Sequence, residues 1–398
     1  MKYYTGLLGA GVGADTMAIS SSTTDATRRN AASVHRRAII VDGHCDTPYR
    51  LLRHNLHLDE HDTEAQLDLR MLQESGITAT FFAAYVPPFY AGRGAAAFAY
   101  RLIDLITEET KRRQDILRFC TDSEAIRRAK GEGTIGIMIG VEGGHAIEDS
   151  LDILRDFYAK GARYMTLTHV NTNNWCDSSG DGGRHGGLTD FGRTVVRTMN
   201  DMGMIVDISH ISDKAFYAVL ETTRVPVVAT HSSCRAITRH ARNLTDEMLR
   251  DLAKNGGVCM INFFSAFVND RVAEVIIHAQ KRPKDNNGGG GGTEELPDDR
   301  TDWDTYLEWF NTLGCPRARL DDVIDHIVHA ATVAGIDHVG LGSDFDGVPA
   351  LPDGLQTASA LPSITERLIA RGFSVEDVLK VLGGNFMRAF EMIEKGRR

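Results

Sequence analysis

The chain has 398 residues, of which 42% are hydrophobic, and carries a formal net charge of −10 at pH 7. This length admits one large domain or two, and an acidic chain without a basic block argues against nucleic acid as a partner. Its six cysteines have no Cys-x-x-Cys spacing, and no apolar run approaches the roughly 18 residues of a membrane span, so we expect neither a disulfide framework nor a membrane-spanning segment.

Residues 1–35 form a predicted N-terminal extension without a regular structural pattern. Lys2 precedes a short apolar stretch at residues 6–14 that several glycines dilute, and this favours an irregular leader over a cleaved export signal. We therefore expect a cytoplasmic protein, with export through a cleaved N-terminal signal as the alternative.

Eight short apolar runs alternate with longer amphipathic segments along the rest of the chain. The predicted strands are residues 38–46, 76–86, 134–143, 164–169, 204–210, 225–232, 257–264 and 338–345. Between the fourth and fifth runs, Thr189 as N-cap and Gly203 as C-cap enclose a helical pattern. Apolar strands separated by helices are typical of a parallel sheet buried on both faces. The pattern predicts a single α/β (β/α)8 TIM barrel over residues 36–392, in preference to an open doubly wound sheet.

A glycine-rich insertion at residues 281–299 interrupts this alternation after the seventh strand. Five consecutive glycines, Gly288 to Gly292, offer no side chains for packing and lose much entropy on ordering, so we predict a mobile loop. It follows a strand on the side of a barrel where active sites form, which leaves a lid as an alternative role.

Potential metal ligands stand at the ends of several predicted strands. His44 and Asp46 follow the first run and, being two apart, project to the same face of a strand. The carboxyl ends of barrel strands converge on one face, so we expect this pair to meet the side chains that end other strands, which are Glu142, His169, His210, His231 and Asp344.

These strand ends predict a two-metal site. His44, Asp46 and Glu142 are assigned to one divalent ion, and Glu142, His210 and His231 to a second, with the Glu142 carboxylate spanning both. Two ions bridged by a carboxylate and a hydroxide polarise a carbonyl and present a nucleophile at neutral pH. Imidazole and carboxylate ligands without thiolate favour zinc, although manganese, iron or cobalt suit the same ligands.

Eight motifs occur in a fixed order along the chain: DGHCD (42–46), EGGH (142–145), LTH (167–169), GLTDFG (187–192), DISH (207–210), THSS (230–233), RN (242–243) and GSDFDG (342–347). Together they resemble the renal (membrane) dipeptidase family of zinc metallopeptidases, a branch of the amidohydrolase superfamily, over roughly residues 36–392. The resemblance implies a (β/α)8 barrel with two Zn²⁺ per subunit that hydrolyses dipeptides, commonly as a homodimer. The lack of a hydrophobic tail after Lys395 favours a soluble, bacterial-type member.

By position, the resemblance also implies roles for three further residues. His169 resembles the histidine that stabilises the tetrahedral oxyanion, and Arg242 the arginine that pairs with the substrate carboxylate. Asp344 resembles the acid that takes a proton from the bridging water and passes it to the leaving amine. Asp346 competes for that role because strand alternation puts both acids on one side. Phe267 stands where some relatives have a tyrosine near the substrate amine, which leaves amine recognition open.

The main functional hypothesis is therefore a metal-dependent dipeptidase that works by attack of a hydroxide bridging two zinc ions. Dipeptides with a D-residue at the C-terminal position are included as candidate substrates. One alternative is a related amidohydrolase that acts on a lactam, an N-acyl amino acid or an ester. The alternative of another class is a catalytically silent barrel that serves as a binding protein.

Overall fold

The computed structural model describes the backbone of residues 21–281 and 300–398. Residues 1–20 of the predicted extension and almost all of the predicted insertion lie outside the described residues. Nine strands occur in the described ranges, and all of their pairings are parallel. They are β1 Val41–Cys45, β2 Ala79–Tyr85, β3 Leu117–Phe119, β4 Ile135–Glu142, β5 Ala162–Thr166, β6 Ile205–Asp207, β7 Val228–Ser232, β8 Val258–Ile261 and β9 Val339–Leu341.

Eight of these strands close into a barrel, as predicted. The order β2-β1-β9-β8-β7-β6-β5-β4 is closed by pairing of β2 with β4. Each of the eight predicted runs contains or overlaps one barrel strand. The additional strand β3 pairs with the first residues of β4, from Ile135 to Ile137, on the edge that β5 takes over from Ile139 onward. Three residues are too few to show a period, so the sequence did not reveal β3.

Sixteen α-helices accompany the strands in the described ranges. They are α1 Ser21–Arg37, α2 Thr47–His54, α3 Leu69–Ser75, α4 Ala95–Arg112, α5 Ser123–Glu132, α6 Leu151–Ala159, α7 Asp190–Met202, α8 Asp213–Thr222, α9 Asp246–Asn255, α10 Ser265–Val268, α11 Asp270–Lys281, α12 Arg300–Thr312, α13 Leu320–Ala334, α14 Pro362–Ala370, α15 Val375–Leu379 and α16 Asn385–Lys395. The predicted caps of α7 are confirmed, because the Thr189 side chain accepts a hydrogen bond from Gly192 N and Gly203 has φ +74°. No helix of the described residues has the length and apolarity needed to cross a membrane.

Part of the predicted extension is the regular helix α1, and it is packed against the barrel. Val34 and His35 are buried there. The His35 Nε2 atom lies 2.8 Å from Ser75 O and its Nδ1 atom 2.7 Å from Thr365 Oγ1. Because a carbonyl oxygen only accepts, Nε2 carries the proton and Nδ1 accepts from the threonine. These bonds join α1 to the end of α3 and to α14.

The barrel interior is filled by large side chains, so the site is confined to one end. Phe386 of α16 contacts Phe81 edge-on at 5.6 Å between ring centroids, and Phe81 lies 4.8 Å from the ring of Tyr164. A Cβ atom on Gly140 would lie 1.9 Å from the Tyr164 ring, so only glycine fits opposite this tyrosine. The column of rings thus blocks the amino-terminal end of the barrel and leads to the carboxyl ends of the strands.

Candidate metal centre

The predicted ligands meet at the carboxyl ends of the barrel strands. Glu142 is the last residue of β4, and its carboxylate is surrounded by four imidazoles, of which His169 is the most distant at 4.0 Å from Oε1. Its Oε1 atom lies 3.2 Å from His210 Nε2 and 3.4 Å from His231 Nε2, while Oε2 lies 3.5 Å from His44 Nε2. The same His44 nitrogen lies 3.1 Å from Asp46 Oδ2. Two donors of one tetrahedral zinc ion, each at about 2.0–2.1 Å from it, are about 3.3 Å apart, so these distances suit shared ions.

The donors form one continuous cluster rather than two separate triplets. Three groups have donor atoms within 4.8 Å of one another: His44, Glu142 and His231; Glu142, His169 and His210; and His44, Asp46 and Asp344. None of these groups coincides with a predicted ligand triplet, and two of them include residues predicted for other roles. All predicted ligands are nevertheless brought together, and which donors hold which ion stays a prediction.

Two of the residues in the cluster have backbone conformations that are rare for side chains other than glycine. His210 has φ +69° and Asp344 has φ +64°, and such strain persists where the surrounding structure imposes it, often at functional sites. Gly347 lies in the turn after β9, as Asp344 does. A Cβ atom at this position would lie 2.1 Å from Asp46 Oδ2 and 2.5 Å from Asp344 Oδ1, so a larger residue would collide with both carboxylates. The β9 turn is therefore shaped around the two carboxylates.

The structure distinguishes the two acids that compete at the end of β9. The Oδ2 atom of Asp344 accepts a hydrogen bond of 2.7 Å from Asn262 Nδ2, and its carboxylate belongs to the cluster. Asp346 instead accepts from Thr47 Oγ1 at 2.6 Å and from Gln66 N at 2.8 Å. Asp346 therefore ties neighbouring loops together and is not among the donor groups of the cluster.

Three residues to which the sequence assigned no role support the histidines from behind. The hydroxyl of Tyr164 lies 2.6 Å from His44 Nδ1. Thr230 Oγ1 donates to Asp207 Oδ2 at 2.7 Å and lies 2.8 Å from His231 Nδ1. Since the threonine gives its single proton to Asp207, it accepts from Nδ1–H, which leaves the lone pair on His231 Nε2 directed at the cluster.

Burial and mutual contact shift the ionisation of the cluster. Burial raises the pKa of Asp46 to about 8 and lowers the pKa of His169 to about 4. Burial would also raise the pKa of Glu142, but the surrounding histidines, His44 first, hold it well below its usual value. Asp46 Oδ1 is buried with no hydrogen-bond partner among the described residues. Several buried carboxylates beside imidazoles, without a thiolate among the donors, fit divalent cations of the zinc type.

A cavity of about 450 Å³ opens onto the cluster, and its lining includes His169 and Asp344. Arg242 is not part of that lining. It lies beneath Phe267, with its guanidinium carbon 5.2 Å from the ring centroid. Its Nη2 donates to His231 O at 3.0 Å and its Nη1 to Ser232 Oγ at 3.3 Å. Arg242 therefore adjoins the cavity from behind one of its aromatic walls.

A family profile described as membrane dipeptidase, peptidase family M19, matches residues 28–398. The chain belongs to the membrane dipeptidase family. An uncharacterized dipeptidase of Schizosaccharomyces pombe (strain 972) is 32% identical over 381 residues, which cover 90% of this chain and 81% of that protein.

Solved structures of similar proteins agree with this membership. A probable dipeptidase, PvdM, from Pseudomonas aeruginosa superposes with a TM-score of 0.78 at 25% identity and covers 94% of this chain and 99% of that one. The metallopeptidase called dipeptidase AC, of family M19, gives a TM-score of 0.72 at 25% identity, over 89% of this chain and 98% of that one. As a member of the membrane dipeptidase family, the chain is a metal-dependent dipeptidase, which confirms the predicted resemblance and reaction class.

Proposed function

We propose that this dipeptidase holds two zinc ions and hydrolyses the peptide bond of dipeptides with a free carboxylate. The observation that carries the proposal is the convergence of histidine nitrogens on both oxygens of the Glu142 carboxylate. His44, Asp46 and Glu142 are assigned to one ion, and Glu142, His210 and His231 to the other. When bound, such ions supply Lewis acidity toward the peptide carbonyl and a nucleophile at neutral pH.

Asp344 is the proposed proton carrier. Its Oδ1 atom lies 3.9 Å from His44 Nε2, and Asn262 holds its other oxygen. From this position the carboxylate accepts the proton of the attacking water and delivers it to the amine nitrogen as the carbon–nitrogen bond breaks. Fixing the carboxylate by a neutral amide leaves its charge available for the proton.

His169 and Arg242 are the proposed substrate-binding residues. Since burial lowers the pKa of His169 to about 4, its imidazole is neutral at pH 7 and can donate one N–H to the developing oxyanion. The Nε atom of Arg242 is buried and has no hydrogen-bond partner among the described residues. This supports a guanidinium that keeps a donor for the substrate carboxylate.

We also propose a homodimer in the cytoplasm, as the family resemblance and the leader indicate. Sedimentation of the metal-loaded protein tests the oligomeric state, and a monomer at micromolar concentration would contradict it. Export through a cleaved N-terminal signal stays the alternative location, and the N-terminal sequence of the mature protein distinguishes the two.

The central test combines metal analysis with a substrate panel. We expect the zinc-loaded protein to contain about two zinc ions per chain and to hydrolyse members of a panel of L,L- and L,D-dipeptides. A stoichiometry of one or less contradicts the two-ion site. Cleavage of lactams, N-acyl amino acids or esters without any dipeptide would favour the amidohydrolase alternative. A fully metallated protein that cleaves nothing would favour a binding protein.

A further inference from the structure

The cavity above the cluster has a wall that the proposed reaction leaves unused. Besides the acids and histidines, its lining is made mostly of aromatic, proline and aliphatic side chains, which include Tyr85, Pro87, Phe264, Phe267, Tyr306 and Val348. Its volume of about 450 Å³ lies within the range of about 300–1,000 Å³ usual for small-molecule sites. The cavity is therefore large enough to enclose a substrate side chain.

The aromatic wall is assembled from distant parts of the chain and braced before substrate arrives. Tyr85 is the last residue of β2, and its ring packs edge-on against Tyr49 at 5.2 Å and against His169 at 4.8 Å. Phe264 follows β8 and packs edge-on against Phe267 at 4.9 Å. Tyr306 is contributed by α12. Rings that are already packed lose little entropy when a ligand contacts them.

The described lining of the cavity contains no lysine or arginine. Two guanidiniums lie just outside the lining: Arg50 pairs with Asp62 at 2.6 Å and with Asp346 of the lining at 3.3 Å, and Arg242, behind Phe267, is assigned to the main-chain carboxylate of the substrate. An acidic substrate side chain placed against this wall would gain no cationic partner, and a basic one would meet only acids that are assigned to the metal ions or to proton transfer or, for Asp346, that already pair with Arg50. Either side chain would lose its water at a cost. An apolar side chain would instead bury its surface against rings and a proline.

We propose that the cavity selects dipeptides with a bulky apolar side chain, aromatic residues above all, over dipeptides of small or charged residues. This inference rests on the proposed dipeptidase function and assigns the specificity to Phe264 and Tyr306. Neither residue is among the proposed metal ligands, so metal binding and selectivity can be measured separately.

The test compares kcat/KM of the zinc-loaded full chain on Ala-Ala, Ala-Phe, Phe-Ala, Ala-Glu and Ala-Lys. We expect the better of the two phenylalanine dipeptides to exceed Ala-Ala by at least about tenfold, since a hydrophobic pocket discriminates about 10–200-fold per group. The two charged dipeptides should be no better than Ala-Ala. Equal values for Ala-Ala and both phenylalanine dipeptides would overturn the inference, whereas cleavage of no dipeptide at all would overturn the proposed function itself.

Variants of the wall provide the second arm. We expect Tyr306→Ala to reduce the ratio of kcat/KM for the phenylalanine dipeptide over Ala-Ala by at least about fivefold, and Tyr306→Phe to keep it. The matched control is Tyr217→Ala, since this tyrosine is 40% exposed on α8, outside the cavity. Phe264→Leu, which removes the ring but keeps an apolar side chain, should also lower the ratio and serves if Tyr306→Ala does not fold. An unchanged ratio in the folded variants Tyr306→Ala and Phe264→Leu would contradict the assignment to these two residues.

Discussion

His231 illustrates how a proposed metal ligand is oriented by the residues behind it. Thr230 lies between its Nδ1 atom and the buried Asp207 carboxylate, whose other oxygen accepts from Ser209 N at 2.9 Å. The direction of each hydrogen bond is fixed: Thr230 donates to Asp207, and His231 Nδ1–H donates to Thr230. The lone pair of His231 Nε2 is therefore left for a metal ion. A carboxylate or hydroxyl behind a ligating histidine raises its basicity and fixes its ring.

This arrangement predicts the effect of Thr230→Val. The valine keeps the shape but removes the acceptor for Nδ1–H, so zinc affinity should fall by about 10–100-fold. Competition with a zinc chelator measures the affinity directly. The control is Thr194→Val, because the exposed Thr194 hydroxyl donates only to Asp190 O. Wild-type affinity in Thr230→Val would contradict the proposed support.

Arg242→Met tests carboxylate recognition. We expect KM for dipeptides to rise by about tenfold or more with little change in kcat, because binding of the carboxylate stabilises ground state and transition state alike. Hydrolysis of a neutral amide or ester should not change. Arg239→Met is the neighbouring control, since the Arg239 side chain is 85% exposed. A similar rise in KM for neutral substrates would indicate that Arg242 has a structural role instead.

His326 makes stability depend on pH. It is fully buried, its Nδ1 atom accepts a bond of 3.0 Å from Cys234 N, and burial lowers its pKa from 6.5 to about 3. Between those values the unfolded chain binds the extra proton, so the free energy of unfolding falls as the pH drops below 6.5, by up to about 1.4 kcal/mol per pH unit.

We therefore expect His326→Asn to lose less stability than wild type when urea unfolding is compared at pH 7 and pH 5. His329→Asn is the control, because the His329 side chain is 26% exposed and lies 2.8 Å from Asp246 Oδ1. Release of bound metal at pH 5 should lower the free energy of unfolding of wild type and of both variants alike, so it cancels in the comparison. An equal loss of unfolding free energy between pH 7 and pH 5 in wild type and His326→Asn would show that His326 is not the source of the pH dependence.

At the scale of elements, the helices and strands that the sequence missed are those whose stability comes from neighbours. The three residues of β3 acquire their conformation by pairing with β4. Helix α1 is attached through His35, whose bonds reach residues 40 and 330 positions away in sequence. The long barrel strands and α7 were predictable because alternation, apolar runs and caps are local signals.

The loop between β5 and α7 edges the cavity at Asn171 and is held by one buried acid. Asp177 Oδ1 accepts from Arg184 N at 2.6 Å and from His185 N at 2.9 Å, and Oδ2 accepts from Gly187 N at 2.8 Å. A carboxylate that receives several backbone N–H groups organises a loop without regular secondary structure.

Asp177→Asn replaces one acceptor oxygen by a donor, so part of this loop should open. We expect amide hydrogen exchange in residues 184–187 to accelerate by about tenfold or more while the barrel strands stay protected. The control is Asp152→Asn, whose side chain is 93% exposed in wild type. Unchanged exchange in the loop would show that Asp177 is dispensable for its order.

At the scale of the whole molecule, the candidate metal centre joins strands from different sides of the barrel. Buried acids and imidazoles from β1, β4, β7 and the following turns lie within a few ångströms of one another, and they gain most when cations neutralise the carboxylates. Metal binding to the folded state alone adds about 2.7 kcal/mol of stability when the free ion is at 100 times its Kd.

Removal of metal should accordingly lower Tm by several degrees, and zinc should restore it. Calorimetry before and after dialysis against a chelator measures the change. Magnesium provides the control, because it prefers oxygen ligands in octahedral geometry and suits imidazole poorly. Equal Tm values with and without zinc would contradict a metal centre that joins the barrel strands.

The sequence by itself determined the barrel and the residue types at the strand ends, because apolar runs, caps and the two-residue alternation of a strand are properties of neighbouring positions. It also indicated the family, because the eight ordered motifs that carry the resemblance are stretches of consecutive residues. Only the tertiary structure decided that Asp344 joins the donors while Asp346 binds Thr47, that Thr230 and Tyr164 support the histidines, and that Arg242 lies behind Phe267. Those outcomes depend on contacts between residues far apart in the chain, such as Thr47 and Asp346. Such contacts exist only once the barrel has closed.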